Sequence, residues 1–272
     1  MSNVRPFHVT WVCSSCFAER LSYAVACEAC HASNTLRRAV NGVRVPLSKE
    51  KRPEPLRVQT APIPRTPTGL GALDSALGGG FVPGSATLLS GERGVGKSTL
   101  ALRLAAAIPN TLYVASEETK EQVEYRMTRT ALHAAGVPVL VTRDVGEVLR
   151  WAKVYDLLLV DSVHRLNDPT GSSEALIDFV KENGRSLVCV AHLTKDGTVR
   201  GPSTMSYLYD VEIELVRVNE SERELAYDPR HGMKDGHARA LETLKNRWGP
   251  EGSWPLWLTA KGWTEESPPS EP

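Results

Sequence analysis

An apolar run, Ala86–Ser90, leads directly into GERGVGKST, residues 91–99, and a segment rich in Ala and Leu follows it. The nine residues match G-x-x-x-x-G-K-[ST], and strand, glycine loop and helix is the context that gives this motif its meaning. The glycines let the backbone wrap so closely that successive N–H groups face phosphate oxygens. The helix that starts there adds partial positive charge. Gly91, Glu92, Arg93, Gly94, Val95, Gly96, Lys97, Ser98 and Thr99 are therefore the expected ATP-binding residues. Lys97 would reach the β- and γ-phosphates, and the Ser98 hydroxyl would sit on Mg²⁺.

This motif needs a parallel sheet around it, and the rest of the chain supplies one. Continuous apolar runs recur at Thr111–Ser116, Val137–Thr142, Leu157–Asp161, Ser186–Ala191 and Val211–Val218. Helical patterns lie between them, at Lys97–Ala107, Lys120–Ala135, Val145–Lys153 and Ser172–Asn183. Buried strands alternating with helices predict an α/β fold with a mostly parallel sheet covered on both faces. Weaker strand patterns at Leu241–Lys245 and Leu256–Thr259 read as small antiparallel additions near the end of that sheet.

Two further acidic positions bear on chemistry. LLLVD ends in Asp161 at a strand's carboxyl end, the Walker-B pattern, and Asp161 would hold Mg²⁺ through water. YVASEE, residues 113–118, ends a second strand in Glu117 and Glu118. Either could activate an attacking water, or both could simply be a solvated acidic start to the helix at 120.

Upstream, Cys13-x-x-Cys16 and Cys27-x-x-Cys30 form two knuckles ten residues apart. Each pair can give two thiolates to one tetrahedral Zn²⁺, and about 30 residues need such a staple to fold. With all four positions filled the ion would be structural. Residues 8–40 are thus expected to be a zinc module. Residues 41–67, with six prolines from Pro46 to Pro67, read as an extended linker, 68–263 as the ATPase domain and 264–272 as a disordered tail. Cys189, within an apolar strand, reads as core. The start, MSNVRPFHVTW, has no apolar signal segment, so a cytoplasmic location is expected. Formal net charge is zero, which excludes a uniformly basic nucleic-acid binder. Residues 1–58 nevertheless carry nine Lys or Arg against four Asp or Glu, so any such affinity must come from local patches.

In this order the parts resemble the bacterial RadA (Sms) family of RecA-like ATPases, from about Trp11 to Trp263. WVCSSC…CEACHASNTL is similar to that family's zinc module, and TGLGALDSALGGGFVPGS, residues 68–85, to its lead-in to the phosphate loop. AHLTKDGTVRGP, residues 191–202, is similar to its second DNA loop. LKNRWG, residues 244–249, matches its KNRFG signature with Trp248 in place of Phe. Phe17 and Ser33 depart from its usual glycine and aromatic in the zinc module. The resemblance implies a RecA-like core and a role for each matching position. Glu117 rather than Glu118 would activate water, and His192 would sense the γ-phosphate. Lys245 and Arg247 would reach the neighbouring subunit's nucleotide, which implies a homo-oligomeric ring, such as a hexamer. Lys195 and Arg200, with Arg165 after the Walker-B strand, would contact DNA. The implied function is an ATP-driven motor, a translocase or helicase on single-stranded DNA, acting in branch migration and repair beside recombination or replication proteins. A RecA/KaiC-like regulatory ATPase that binds protein partners is the alternative. Family members continue into a Lon-protease-like domain, which the chain is expected to lack.

Overall fold

The computed structural model describes residues 9–16, 18–21, 24–33, 35–40, 43–44, 61–132, 136–192, 206–218, 238–259 and 262–265. They belong to two compact units, Met1–Ala61 and Pro62–Pro272.

The first unit holds a small antiparallel sheet of β1 (Val9–Cys13), β2 (Glu19–Arg20), β3 (Leu36–Val40) and β4 (Val43–Arg44), in the order β2-β1-β3-β4. β4 lies past residue 40, the expected end of the cysteine module. Among the described residues the unit's buried apolar cluster is Cys13, Cys27 and Leu36, far too little for a self-supporting core.

The second unit is built on nine described strands. They are β5 (Ala86–Gly91), β6 (Thr111–Ala115), β7 (Val139–Val141), β8 (Leu157–Asp161), β9 (Ser186–Val190), β10 (Val211–Arg217), β11 (Ala238–Asn246), β12 (Gly252–Thr259) and β13 (Gly262–Thr264). Their order is β13-β12-β11-β10-β5-β9-β8-β6-β7. From β10 to β7 every pairing is parallel; β11, β12 and β13 extend the sheet antiparallel. The helices are α1 (Gly71–Leu77), α2 (Lys97–Ala107), α3 (Lys120–Arg129), α4 (Val145–Ala152) and α5 (Pro169–Asn183). The chain has the RecA-like α/β architecture expected from its strand and helix pattern.

The apolar runs are continuous because both sheet faces are covered. Alternate residues of one strand point to opposite faces. Leu157 and Leu159 accordingly enter one buried cluster with α2, while Leu158 and Val160 enter another with α4 and α5. β10 alternates buried and half-buried residues instead, as a strand covered on one side only does.

Helix ends differ from the sequence pattern where local polar chemistry decides them. α3 stops at Arg129, short of the expected Ala135, with Thr130 hydrogen-bonded back to Arg126 O at 2.8 Å. Its start is fixed by a reciprocal Thr119–Gln122 capping box. α5 begins at Pro169 rather than Ser172, because the Asp168 carboxylate caps Gly171 N–H and a proline suits the first helical position. α1 lies within TGLGALDSALGGG and has too few turns to show a period. Asp74 accepts from Thr68 N–H at 2.7 Å, and Gly78 closes the helix in the left-handed conformation. Order also runs past the expected tail boundary at 264, since Glu265 accepts a hydrogen bond from Ala72 N–H.

Candidate nucleotide site

Parallel strands put their carboxyl ends along one edge, and open α/β sheets bind ligands there. β5 ends in the glycine loop, β6 in Ser116–Glu118, β8 in Asp161 and β9 just before His192. Residues scattered over about 100 positions of sequence thus come to one crevice.

The loop needs its glycines for two concrete reasons. Gly91 has φ 143°, and a Cβ there would lie 2.4 Å from Leu215 O. Gly96 has φ 113°, and its Cβ would lie 2.6 Å from the Trp263 ring. Trp263 Nε1 also donates to Gly96 O at 3.3 Å, and Arg239 Nε donates to Val95 O at 3.2 Å. Strands β11 and β13 therefore brace the outside of the loop. Inside it, Lys97 Nζ donates to Gly91 O and to Glu92 O, both at 2.7 Å. Burial pushes the Lys97 pKa down to about 8, although Asp161 and Glu117 pull the other way. The ammonium thus fills its own loop, where incoming phosphates would meet it.

Ser98 Oγ donates to Asp161 Oδ1 at 3.0 Å. A hydroxyl and a carboxylate at this distance are the hard oxygen donors that suit Mg²⁺. Asp161 is held on its other side by the Tyr113 hydroxyl at 2.5 Å and by Arg126 NH1 at 3.6 Å. Arg126 also pairs with Glu118. The two adjacent glutamates are thereby separated in chemistry. Glu118 is tied to Arg126, while burial raises its pKa. Glu117 turns to the opposite side, accepting from Ser162 Oγ at 2.7 Å and lying 3.5 Å from His192 Nε2. Burial disfavours the Glu117 charge, but the Ser162 hydrogen bond and the imidazoles of His192 and His164 outweigh it and lower its pKa. Burial and the Lys97 cation lower that of His192. Ser162 reaches Glu117 from a left-handed backbone, φ 70°, stabilised by Ser116 Oγ donating to Asp161 O and Ser162 O. A cavity of about 390 Å³ opens beside this turn, lined by Ser116, Glu117, Glu118, Thr119 and Arg143.

The remaining expected site residues sit elsewhere. Lys245 and Arg247 are at the opposite, amino edge of the parallel strands. Val211 at that edge pairs with Thr87, and Lys245 lies opposite Glu212. Lys245 Nζ donates to Tyr209 O at 2.5 Å, and Arg247 NH1 pairs with buried Asp210 at 2.9 Å. Arg165 is exposed at the carboxyl edge, at the end of a single helical turn. Lys195 and Arg200 lie outside the described residues.

In the first unit, Cys13 and Cys30 sulfurs are 3.7 Å apart, as are those of Cys16 and Cys27. A disulfide needs about 2.05 Å, whereas Zn–S bonds of about 2.3 Å in a tetrahedron put sulfurs about 3.8 Å apart. The four sulfurs therefore fit a zinc ion. With no ion present the thiols of this cluster diverge: the Thr35 hydroxyl holds Cys13 down to about 5, while Cys16, despite a backbone hydrogen bond from Ala18, is pushed up to about 12 by the neighbouring thiols.

Tyr113, Arg126, Ser162, His164 and Trp263 belong to the site without a motif of their own. Arg126 carries a faint signal: it lies three residues after Val123 and one before Met127, both buried, so helical spacing turns it inward. Ser162 and Trp263 carry none.

A protein-family profile described as the KaiC ATPase matches residues 66–134. Over 97% of its length the chain is 31% identical to the DNA repair protein RadA of Brucella abortus. It is 28% identical to the RadA of Escherichia coli K12 over 96% of its length, and 30% identical to that of Rickettsia felis over 76%. It spans 60%, 60% and 48% of those three proteins respectively. Among the described residues no helix is long and apolar enough to cross a membrane.

Proposed function

We propose that this chain, a relative of the RadA proteins over nearly its whole length, is a Mg²⁺-dependent ATP hydrolase that works in DNA repair as a motor on single-stranded DNA. The convergence of Lys97, Ser98, Asp161, Glu117 and His192 at one sheet edge is the observation that carries it. The loop from Gly91 to Thr99 cradles the phosphates, and Lys97 exchanges its two carbonyl partners for phosphate oxygens. Ser98 and Asp161 hold Mg²⁺, which supplies charge neutralisation at the phosphates when bound. Glu117 accepts the proton of the water that attacks the γ-phosphorus; its lowered pKa keeps it ionised for that task. His192, its Nε2 3.5 Å from the Glu117 carboxylate, reports the γ-phosphate to the segment that follows it. Lys245 and Arg247 neutralise charge on the phosphates of the next subunit in a ring. The four-cysteine module holds structural Zn²⁺. Arg165, Lys195 and Arg200 follow the DNA backbone.

Purified protein should hydrolyse Mg-ATP faster with single-stranded DNA and not at all as Lys97→Ala. The double variant Lys195→Ala, Arg200→Ala should keep basal hydrolysis and lose DNA binding. The KaiC profile match favours one competing reading, a regulatory ATPase whose partners are proteins. Hydrolysis indifferent to DNA of every length at low salt would select that reading.

A further inference from the structure

Beside the phosphate loop, Glu117 and His192, which hydrolysis uses, share a cluster of metal-ligating donors with His164, to which hydrolysis gives no role. Glu117, His164 and His192 each offer one ligand atom, and these atoms all lie within 4.8 Å of one another. One pair, His192 Nε2 and Glu117 Oε2, is 3.5 Å apart. Three ligands on a tetrahedral ion with bonds of about 2.05 Å stand about 3.3 Å apart. That pair is thus already near coordination distance, and the third ligand, within 4.8 Å of both, has at most about 1.5 Å to close. The two imidazoles meet edge to face with ring centres 5.0 Å apart, an arrangement that lets both present nitrogen toward the carboxylate. The rings are partly buried and come from separate elements, His164 from the turn after β8 and His192 from the end of β9. The strand pairing between β8 and β9 fixes their separation.

We propose that Glu117, His164 and His192 form a third metal site, selective for Zn²⁺ or a similar borderline transition ion, whose occupation stops hydrolysis. Mg²⁺ prefers six oxygen ligands and is poorly served by two imidazoles and one carboxylate, whereas Zn²⁺, Co²⁺ and Ni²⁺ are well served. The two metals therefore separate by chemistry, Mg²⁺ to Ser98 and Asp161, zinc to the imidazole site. A zinc ion on Glu117 takes the carboxylate lone pair that would accept the proton from water. Three protein ligands leave a fourth position for water or a terminal phosphate oxygen, so nucleotide binding persists while turnover ceases. This inhibition rests on the role of Glu117 proposed above; the binding of the metal does not.

The test uses the full chain with its cysteine site already loaded with zinc and loose metal removed by a mild chelator. Calorimetric titration with Zn²⁺ in the absence of nucleotide should show one further equivalent. It should vanish in Glu117→Gln and in His164→Ala and survive in Lys97→Ala. Mg-ATPase of the parent should fall with added Zn²⁺. His164→Ala, read against its own metal-free rate, should need at least roughly tenfold more zinc for half inhibition than the parent, the cost of losing one ligand. No further equivalent, or one that both variants retain, would overturn the site. A further equivalent with undiminished hydrolysis would overturn the inhibition and, with it, the assignment of Glu117 as the base. Loss of ATPase in every preparation leaves the calorimetric result to decide.

Discussion

The buried lysine makes ATP binding a proton-coupled event. Without nucleotide, Lys97 is almost fully inside its loop, and its pKa is down to about 8 against an ordinary 10.5. Polyphosphate favours the cation, so binding returns the pKa at least to its ordinary value. Affinity is therefore complete below pH 8 and is lost as pH rises from about 8 toward about 10.5, by up to tenfold per unit. At about pH 8 roughly half of the free molecules carry the cation, and at about pH 9 roughly one in ten does. The apparent Kd should weaken about fivefold between these two values, and binding should take up about half a proton at the lower and about 0.9 at the higher. Calorimetry in two buffers of different ionisation enthalpy reads the proton uptake directly. A flat Kd with no proton exchange from about pH 7.5 to about 9 would show that Lys97 is charged throughout and that its burial has no electrostatic consequence.

Three other outcomes follow from the same contacts. Glu117→Gln should slow single-turnover hydrolysis by about 10²–10⁴ while ATP binding holds, whereas Glu118→Gln, whose carboxylate is tied to Arg126, should cost far less. Tyr113→Phe removes a buried hydroxyl that donates to the Asp161 carboxylate, and thermal denaturation should report a loss of about 1.5–3 kcal/mol. Cys13→Ser should remove the chelator-resistant zinc measured by atomic emission and leave basal ATPase in place, since the cysteines and the phosphate loop are in separate compact units.

Much of this site is legible in the sequence because it is local. A glycine loop between an apolar strand and a helix, or an apolar run ending in Asp161, is written in consecutive residues. Both elements fall where the pattern puts them: α2 spans Lys97–Ala107 and β8 spans Leu157–Asp161. Glu117 and Glu118 are indistinguishable by spacing because what separates them, Arg126 and Ser162, arrives from other elements. Ser162 depends on a left-handed backbone that serine rarely adopts, and no residue type announces it. Trp263 braces Gly96 from 167 positions away, through three antiparallel strands whose patterns are individually weak. α1 has seven residues, too few for periodicity to declare itself.

The topology bears most directly on where Lys245 and Arg247 act. Gly91 pairs with Leu215 at the carboxyl edge, while Thr87 pairs with Val211 at the amino edge, next to Asn246. About four residues of strand separate the two edges by about 13 Å, and the sheet stands between them. The pair faces away from its own phosphate loop, so a role at phosphate must be played on another copy. Such a head-to-tail contact builds a ring where its rotation closes and a filament where it does not. Lys97→Ala and Arg247→Ala should each be inactive alone, yet an equal mixture should recover about one quarter of parental activity. That fraction is the share of interfaces that join an intact loop to an intact arginine when subunits assemble at random. No recovery from assemblies captured through a tag on one variant and shown by peptide mass spectrometry to contain the other would refute action across the interface. The exchange is feasible energetically because Asp210 is not abandoned when Arg247 leaves it. Its buried carboxylate keeps the Ala86 N–H at 3.1 Å and Lys181 at 3.8 Å. Arg247, more than half exposed, gives up one ion pair in its own subunit for charge on its neighbour's nucleotide. Asp210 remains hydrogen-bonded to the first residue of the strand that ends in that subunit's own phosphate loop.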